Sequence, residues 1–369
     1  MNDRLVALHR DHGQSPWLDN LQRSYLTDGE LDRQIARGIR GLTSNPTIFQ
    51  KAIQGSDDYD DQFRSLVAAG GSVTDHYWQL VLADIRGALE RFEPLFHSSH
   101  GGDGYVSVEV DPGLATDGPG TEHAARQLHL DIDRPNLMVK IPATVESLPA
   151  IETMVAEGRN VNVTLIFSLD RYQKVMDAYI RGLQRYAEDP QADLSKVASV
   201  ASFFISRVDS AIDARLEGIG TPEALALRGR AAVAQARLAY RQFRDTFSGA
   251  AWEALAARGA RVQRPLWAST STKNPAYPDT LYVDELIGPD TVNTLPDATI
   301  DAFADHGTPA RTIDAGIDEA QSTWHALMAA GIDLRDVAVV LEREGVASFQ
   351  KSFVDLLAAL EAKAATFRS

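Results

Sequence analysis

The chain has 369 residues and a mass of 40.3 kDa, with 44% hydrophobic and 24% charged residues, which excludes disordered and fibrous classes and leaves room for one large core or two to three ordinary domains. A formal charge of −15 and a pI near 5.0 weigh against nucleic-acid and anionic-membrane surfaces, although a pocket can still gather Arg and Lys around a small anion. Cysteine is absent, which removes disulfides, thiol nucleophiles and cysteine-ligated zinc and fits a reducing compartment. Residues 1–13 (MNDRLVALHRDHG) are charged throughout and do not read as a signal peptide, and no apolar run approaches the roughly 18 residues of a membrane helix. The expectation is a cytoplasmic protein.

In chain order, the first elements are two weak strands at residues 16–18 and 39–42. Residues 73–92 place Tyr77, Leu80, Val81, Ile85 and Leu89 on one helical face, and 97–104 (HSSHGGDG) is the most turn-like segment. Strands follow at 105–110 (YVSVEV), 137–141 (LMVKI), 161–167 (VNVTLIF) and 197–204 (VASVASFF), with a helix at 170–187 that Ser168 can cap. Thr221-Pro222-Glu223 supplies a cap, a proline for the first helical position and an early acid, and the helix-forming composition continues to about Arg258. Residues 265–268 (PLWA) and 281–283 (LYV) read as the last two strands, and several helices follow from Arg311.

Several of these strands are apolar at consecutive positions, as in parallel sheets covered on both faces. Eight strands alternating mostly with helices predict a (β/α)8 barrel with additional helices. It would be a single domain over residues 1–369, with helical insertions at about 45–104 and 205–263 and a helical C-terminal extension at about 309–369. A doubly wound open sheet is the alternative. It usually brings a glycine-rich phosphate turn, and the chain contains no GxGxxG, no Walker-type GxxxxGK[ST] and no GxSxG.

Barrel chemistry gathers at the carboxyl ends of the strands, where the sequence places Asp19, Thr43-Ser44-Asn45, Glu109, Lys140, Asn162, Thr164, Ser202, Ser269 and Lys273. Lysine is scarce, with seven against 29 arginines, yet Lys140 stands within the apolar run 136–142. A desolvated amine there is a competent Schiff-base nucleophile, while the bland reading is a strand-end lysine whose ammonium reaches water. Glu109, between Val108 and Val110, suits proton transfer through a water or a structural ion pair. Asp19 reads as a second base or as the cap of the next helix, the cap being the favoured reading when it is taken alone, and Asn45 before Pro46 carries the same ambiguity. Asn162 and Thr164 share one strand face and need partners, either substrate hydroxyls or water. Arg207, just inside a helix start, and the hydroxyl-rich run Ser269–Lys273 have the makings of an oxyanion site, although Arg207 near Asp209 also reads as a solvated helix residue.

The segments 41–49 (GLTSNPTIF), 106–112 (VSVEVDP), 136–144 (NLMVKIPAT), 160–168 (NVNVTLIFS), 202–209 (SFFISRVD) and, more loosely, 265–274 (PLWASTSTKN) together resemble the transaldolases, class I Schiff-base transferases, in their longer bacterial subgroup. The resemblance implies a (β/α)8 barrel and transfer of a dihydroxyacetone unit from sedoheptulose 7-phosphate or fructose 6-phosphate to an aldose phosphate, in the non-oxidative pentose phosphate pathway, with no metal and no cofactor. It implies that Lys140 forms the imine, that Glu109 and Thr164 orient a proton-shuttling water, and that Asp19 takes the C4 hydroxyl proton. Asn45, Asn162 and Ser202 would bind the retained unit, Thr43 and Phe204 would line the site, and Arg207 and Ser269 would hold the phosphate. The family's second phosphate-binding arginine, in an A-S-F-R-N pattern, is missing here; the run 268–274 is longer by two residues and offers Lys273 instead, without the guanidinium fork.

Implied partners are sugar phosphates, with no nucleic acid and no membrane, for a monomer or homodimer. Alternatives are a fructose 6-phosphate aldolase-like lyase and a non-catalytic sugar-phosphate-binding barrel. Metal-dependent aldol chemistry would need the histidine pairs 9/12, 97/100 and 123/129, which read as loop and helix-surface residues.

Overall fold

Short runs of consecutive apolar residues form strands that are buried on both faces. In the computed structural model, which describes residues 4–368, eight parallel strands close into a barrel in chain order. They are β1 (Gln14–Leu18), β2 (Leu42–Thr43), β3 (Val106–Glu109), β4 (Leu137–Pro142), β5 (Val161–Ile166), β6 (Ser199–Phe204), β7 (Arg264–Ala268) and β8 (Thr291–Leu295). β8 pairs with β1 in register, Gln14 opposite Thr291 through Leu18 opposite Leu295, which closes the ring. The termini of the expected 1–369 span, Met1–Asp3 and Ser369, lie outside the described residues.

One expected strand is not a strand. Residues 281–283 belong to a short helix, Leu281–Asp284, and the eighth strand is Thr-Val-Asn-Thr-Leu further on. Its outward positions are polar because the 281–291 segment covers them: Asn293 Nδ2 donates to the Tyr282 carbonyl at 3.1 Å, and Thr291 Oγ1 donates to the Gly288 carbonyl at 2.6 Å. Those polar partners break the apolar run by which the other strands are recognised.

The helical stretch expected from Thr221 to about Arg258 divides into Pro222–Leu225, Ala231–Thr246 and Ala250–Ala256. Gly229 adopts φ +69°, a left-handed turn that helix-forming neighbours cannot override, and its N–H and that of Ala232 are taken up by Asp213 and Asp209. Elsewhere the helices follow their signals. Thr221 and Ser168 both cap through their side chains, and Val73–Ser98 starts on a Ser72/Asp75 capping box and runs six residues past its expected end.

After β8 come helices Asp297–His306, Ile317–Ala329 and Leu334–Arg368. The last, 35 residues long, packs on helices Pro46–Gln54, Asp60–Ala69, Val73–Ser98 and Ser206–Ile219 and reaches the carboxyl end of β5. Gly345 permits that approach, since a Cβ there would stand 3.0 Å from the Leu165 side chain. Gln350 Nε2 donates to the Pro112 carbonyl at 3.1 Å, Thr47 and Ser352 hydroxyls meet at 2.8 Å, and Glu342 pairs with Arg171 at 3.3 Å. No helix among the described residues is long and apolar enough to cross a membrane.

Candidate active site

Parallel closure brings the carboxyl ends of all eight strands to one mouth, where a cavity of about 300 Å³ opens. Asp19, Thr43, Asn45, Lys140, Thr164, Ser202, Phe204, Arg207, Ser269 and Lys273 all line it. Glu109 and Asn162 stand in the layer directly behind.

Lys140 and Glu109 are register partners on β4 and β3, so their side chains rise together from the same level of the barrel. Lys140 is 5% exposed and Glu109 7%. Lys140 Nζ lies 3.3 Å from Glu109 Oε2 and donates to the Ser44 carbonyl at 3.1 Å. The Phe349 ring on the C-terminal helix lies over the ammonium, 6.0 Å from nitrogen to ring centroid. Burial raises the Glu109 pKa, opposed by the Lys140 charge and hydrogen bond. An amine held dry against a carboxylate that takes up a proton readily is equipped for condensation with a carbonyl compound.

Asp19 follows β1 immediately. Its Oδ1 accepts from Thr43 Oγ1 at 2.7 Å, and Thr43 Oγ1 lies 2.6 Å from Thr294 Oγ1. Burial raises its pKa too, while the Lys140 charge and then the Thr43 hydrogen bond pull it down. Of the two roles the sequence left open for Asn45, the structure shows the helix cap and places the residue at the cavity wall. Its Oδ1 caps helix Pro46–Gln54 by accepting from Ile48 N at 3.0 Å, and the residue lines the cavity.

β5 is irregular at its carboxyl end, at the level of the cavity. The β5–β6 register shifts between Val163 and Ile166, and Leu165 adopts φ +61°, a costly conformation for a branched side chain. Thr164, beside it, lines the cavity with an Oγ1 that is buried and has no hydrogen-bond partner among the described residues. Asn162 lies deeper: its Nδ2 donates to Ser107 Oγ at 3.0 Å and its Oδ1 accepts from Ser202 Oγ at 2.7 Å, joining β3, β5 and β6.

The rim is cationic. Arg207, the second residue of helix Ser206–Ile219, lies over the Phe204 ring at 5.2 Å and has no ion-pair partner among the described residues. Ser269, at φ +56°, meets Ser206 through their hydroxyls at 2.9 Å. Lys273 Nζ donates to Ser271 Oγ at 2.5 Å, and burial, then the Arg207 and Lys51 charges, lower its pKa. Lys51, on helix Pro46–Gln54, is a third cation facing the same cavity.

Lys51, Thr294, Ser348 and Phe349 were not among the residues the sequence singled out, whereas Ser271 lies within the hydroxyl-rich run that it did. Thr294 was hidden with its strand. Phe349 and Ser348 come from a helix with no sequence link to the barrel mouth. Lys51 carried a usable signal, being one of seven lysines and lying six residues beyond Asn45.

Residues 16–360 match the family model described as Transaldolase/Fructose-6-phosphate aldolase. The chain is 52% identical over 349 residues to a transaldolase of Thermobifida fusca, covering 94% of this chain and 95% of that one. It is 52% identical over 362 residues to one of Acidothermus cellulolyticus (98% and 96%) and 51% identical over 362 residues to one of Mycolicibacterium smegmatis (98% and 97%). Strand order, the paired lysine and carboxylate, and these likenesses agree: the chain belongs to the transaldolase/fructose-6-phosphate aldolase family.

Proposed function

We propose that this protein is a transaldolase, moving a dihydroxyacetone unit from a ketose phosphate to an aldose phosphate through an imine on Lys140. The observation that carries the reading is the buried Lys140 amine, 3.3 Å from Glu109, in a cavity whose other wall holds Asp19 and whose rim holds Arg207, Lys273 and Lys51.

The neutral amine adds to the donor C2 carbonyl, and the carbinolamine loses its oxygen as water. Glu109, with the unpartnered Thr164 hydroxyl, holds the water through which those protons pass. The Asp19 carboxylate then takes the C4 hydroxyl proton, the C3–C4 bond breaks, and its electron pair neutralises the iminium to give an enamine. The aldose phosphate leaves, the acceptor aldehyde enters, and the steps reverse. Ser202 and Asn45 are within the cavity to bind the retained hydroxyls, with Asn162 positioning Ser202. Arg207, Lys273, Lys51 and the Ser269 and Ser271 hydroxyls bind the phosphate. Lys51 supplies part of the charge that the second arginine brings in the family pattern.

Borohydride reduction in the presence of fructose 6-phosphate, followed by peptide mapping, tests the reading. A stable adduct is expected on Lys140, with none in Lys140→Arg; an adduct elsewhere, or none, refutes it. The lyase reading shares the imine, so turnover is compared with and without erythrose 4-phosphate. Cleavage at full rate without an acceptor would reject transfer.

A further inference from the structure

The opposite end of the barrel holds a second, larger cavity, about 580 Å³, that the proposed reaction does not use. Its walls come from the amino ends of the strands and the turns before them. Three arginines face it: Arg40 before β2, Arg261 before β7, and Arg264 at the first position of β7. Two carboxylates face it in return. Asp103 is buried and fully engaged, accepting from Arg40 Nε at 2.6 Å, Ser15 Oγ at 2.8 Å and Arg264 Nη2 at 3.2 Å. Asp290 is exposed and lies 3.4 Å from Arg244.

Two donor groups remain unspent after that network is satisfied. Arg40 turns only its Nε to Asp103, and its two terminal nitrogens have no hydrogen-bond partner among the described residues. His9 Nδ1 is buried, 4.0 Å from Asp103, and likewise has no hydrogen-bond partner there. Arg261 is spent on the carbonyls of Ser195, His100 and Gly101, but its charge remains in the wall. The cavity therefore has a net positive charge on a chain with a formal charge of −15.

We propose that this amino-end cavity is a second binding site, for a small phosphate ester or inorganic phosphate, with the terminal guanidinium nitrogens of Arg40 and the His9 imidazole as its principal donors. A planar guanidinium edge free to make two parallel bonds is matched by a phosphoryl group. The Ser98, Ser99 and Ser199 hydroxyls in the wall already donate to the Leu95, Phe96 and Val161 carbonyls, so the ligand's oxygens fall to Arg40 and His9.

The test begins with a variant in which Arg207, Lys273 and Lys51 are replaced by Ala, Met and Met, removing the cations of the other mouth. Inorganic phosphate is titrated calorimetrically into that protein at about 0.15 M salt, where diffuse attraction is screened. Saturable binding is expected to persist and to weaken at least about tenfold when Arg40→Gln is added. No saturable binding, or binding indifferent to Arg40→Gln, overturns the proposal. Should Arg40→Gln fail to fold because Asp103 loses a partner, His9→Leu leaves that network intact. It is expected to weaken binding by at least about threefold, and unchanged affinity in the folded protein overturns the site.

Discussion

Thr43→Val puts a number on the arrangement around Asp19. Thr43 has one proton, engaged with Asp19 Oδ1 at 2.7 Å, so its 2.6 Å contact with Thr294 must be one in which Thr294 donates. The two hydroxyls form a chain polarised toward the carboxylate. A hydrogen bond to an ionised acceptor contributes about 1.5–3 kcal/mol. Part of it survives when the carboxyl is protonated, which leaves a differential of roughly 1.4–2 kcal/mol, or about one pKa unit or slightly more. Valine keeps the shape and removes the donor, so the Asp19 pKa rises further. In the proposed cycle the ionised form takes the C4 proton, so the acid limb of the kcat–pH profile moves up by about one unit. The variant is then roughly tenfold slower below that limb and converges on the wild-type rate above it. Thr43→Ser, which keeps the hydroxyl, stays close to wild type. The assay is the pH dependence of carbon–carbon cleavage in single turnovers at saturating donor. A Thr43→Val acid limb superimposed on that of wild type refutes the role, and so does a uniform loss at every pH, the signature of disturbed packing.

Three further expectations are independent of that one. Lys51→Met raises KM for phosphorylated donors by about three- to tenfold, equivalent to roughly 0.7–1.4 kcal/mol of charge–charge attraction, and leaves unphosphorylated dihydroxyacetone donors unaffected; an equal effect on both removes Lys51 from the phosphate site. Phe349→Ala deletes a buried ring over Lys140, destabilises the fold by about 3–5 kcal/mol, and slows imine formation more than enamine transfer, as read by denaturant unfolding and pre-steady-state trapping. His129 Nε2 donates to the Asn160 carbonyl at 3.1 Å, and burial brings its pKa down to about 4. The unfolded chain therefore binds the extra proton, and stability is lost as pH falls from 6.5 toward 4. Between pH 7 and 5 this costs about 2 kcal/mol that His129→Gln does not lose, so parallel urea curves for the two proteins over that range would contradict the assignment.

The parts legible in the sequence are those where one physical requirement fixed the residue type. Strands buried on both faces carry consecutive apolar residues, which β4 showed most plainly, while β3 and β5 still held enough valine to read as strands around their polar positions. Lys140 stood out because an ammonium inside such a run needs a reason, and Glu109 because its neighbours left it no solvent. β8 was hidden because its outward side chains bond to the segment that covers them, so its pattern reports tertiary contacts rather than strand burial. Thr294, on the inward face, was hidden with its strand. Phe349 and Ser348 reach the mouth only because Gly345 lets a distant helix approach Leu165, a contact between residues far apart in the chain. Asn162 was legible as an inward polar residue, but its engagement with Ser107 and Ser202 depends on register across three strands.

The charges in the barrel mouth account for how so dry a site can run this cycle. Isolated ions are costly to bury, and a reaction that changed the net charge of the cavity would meet that cost at every turnover. In the proposed cycle it does not change. Before cleavage the iminium on Lys140 is positive and Glu109 and Asp19 are negative. After cleavage the enamine nitrogen is neutral, Asp19 holds the proton, and Glu109 is still negative. One negative charge therefore remains on both sides of the step, and charge moves only between groups a few ångströms apart. Glu109 stays beside the nitrogen throughout, 3.3 Å from it in the resting enzyme, as counter-ion to both ammonium and iminium. The opposing influences on Asp19 fit the same scheme, because burial favours its protonated form while the lysine-derived cation favours its carboxylate. As that cation is discharged, the carboxyl pKa must rise, so breaking the bond itself makes Asp19 a better proton acceptor. The Arg207, Lys273 and Lys51 charges on the rim neither gain nor lose a proton in this step, which leaves them free to serve donor and acceptor phosphates alike.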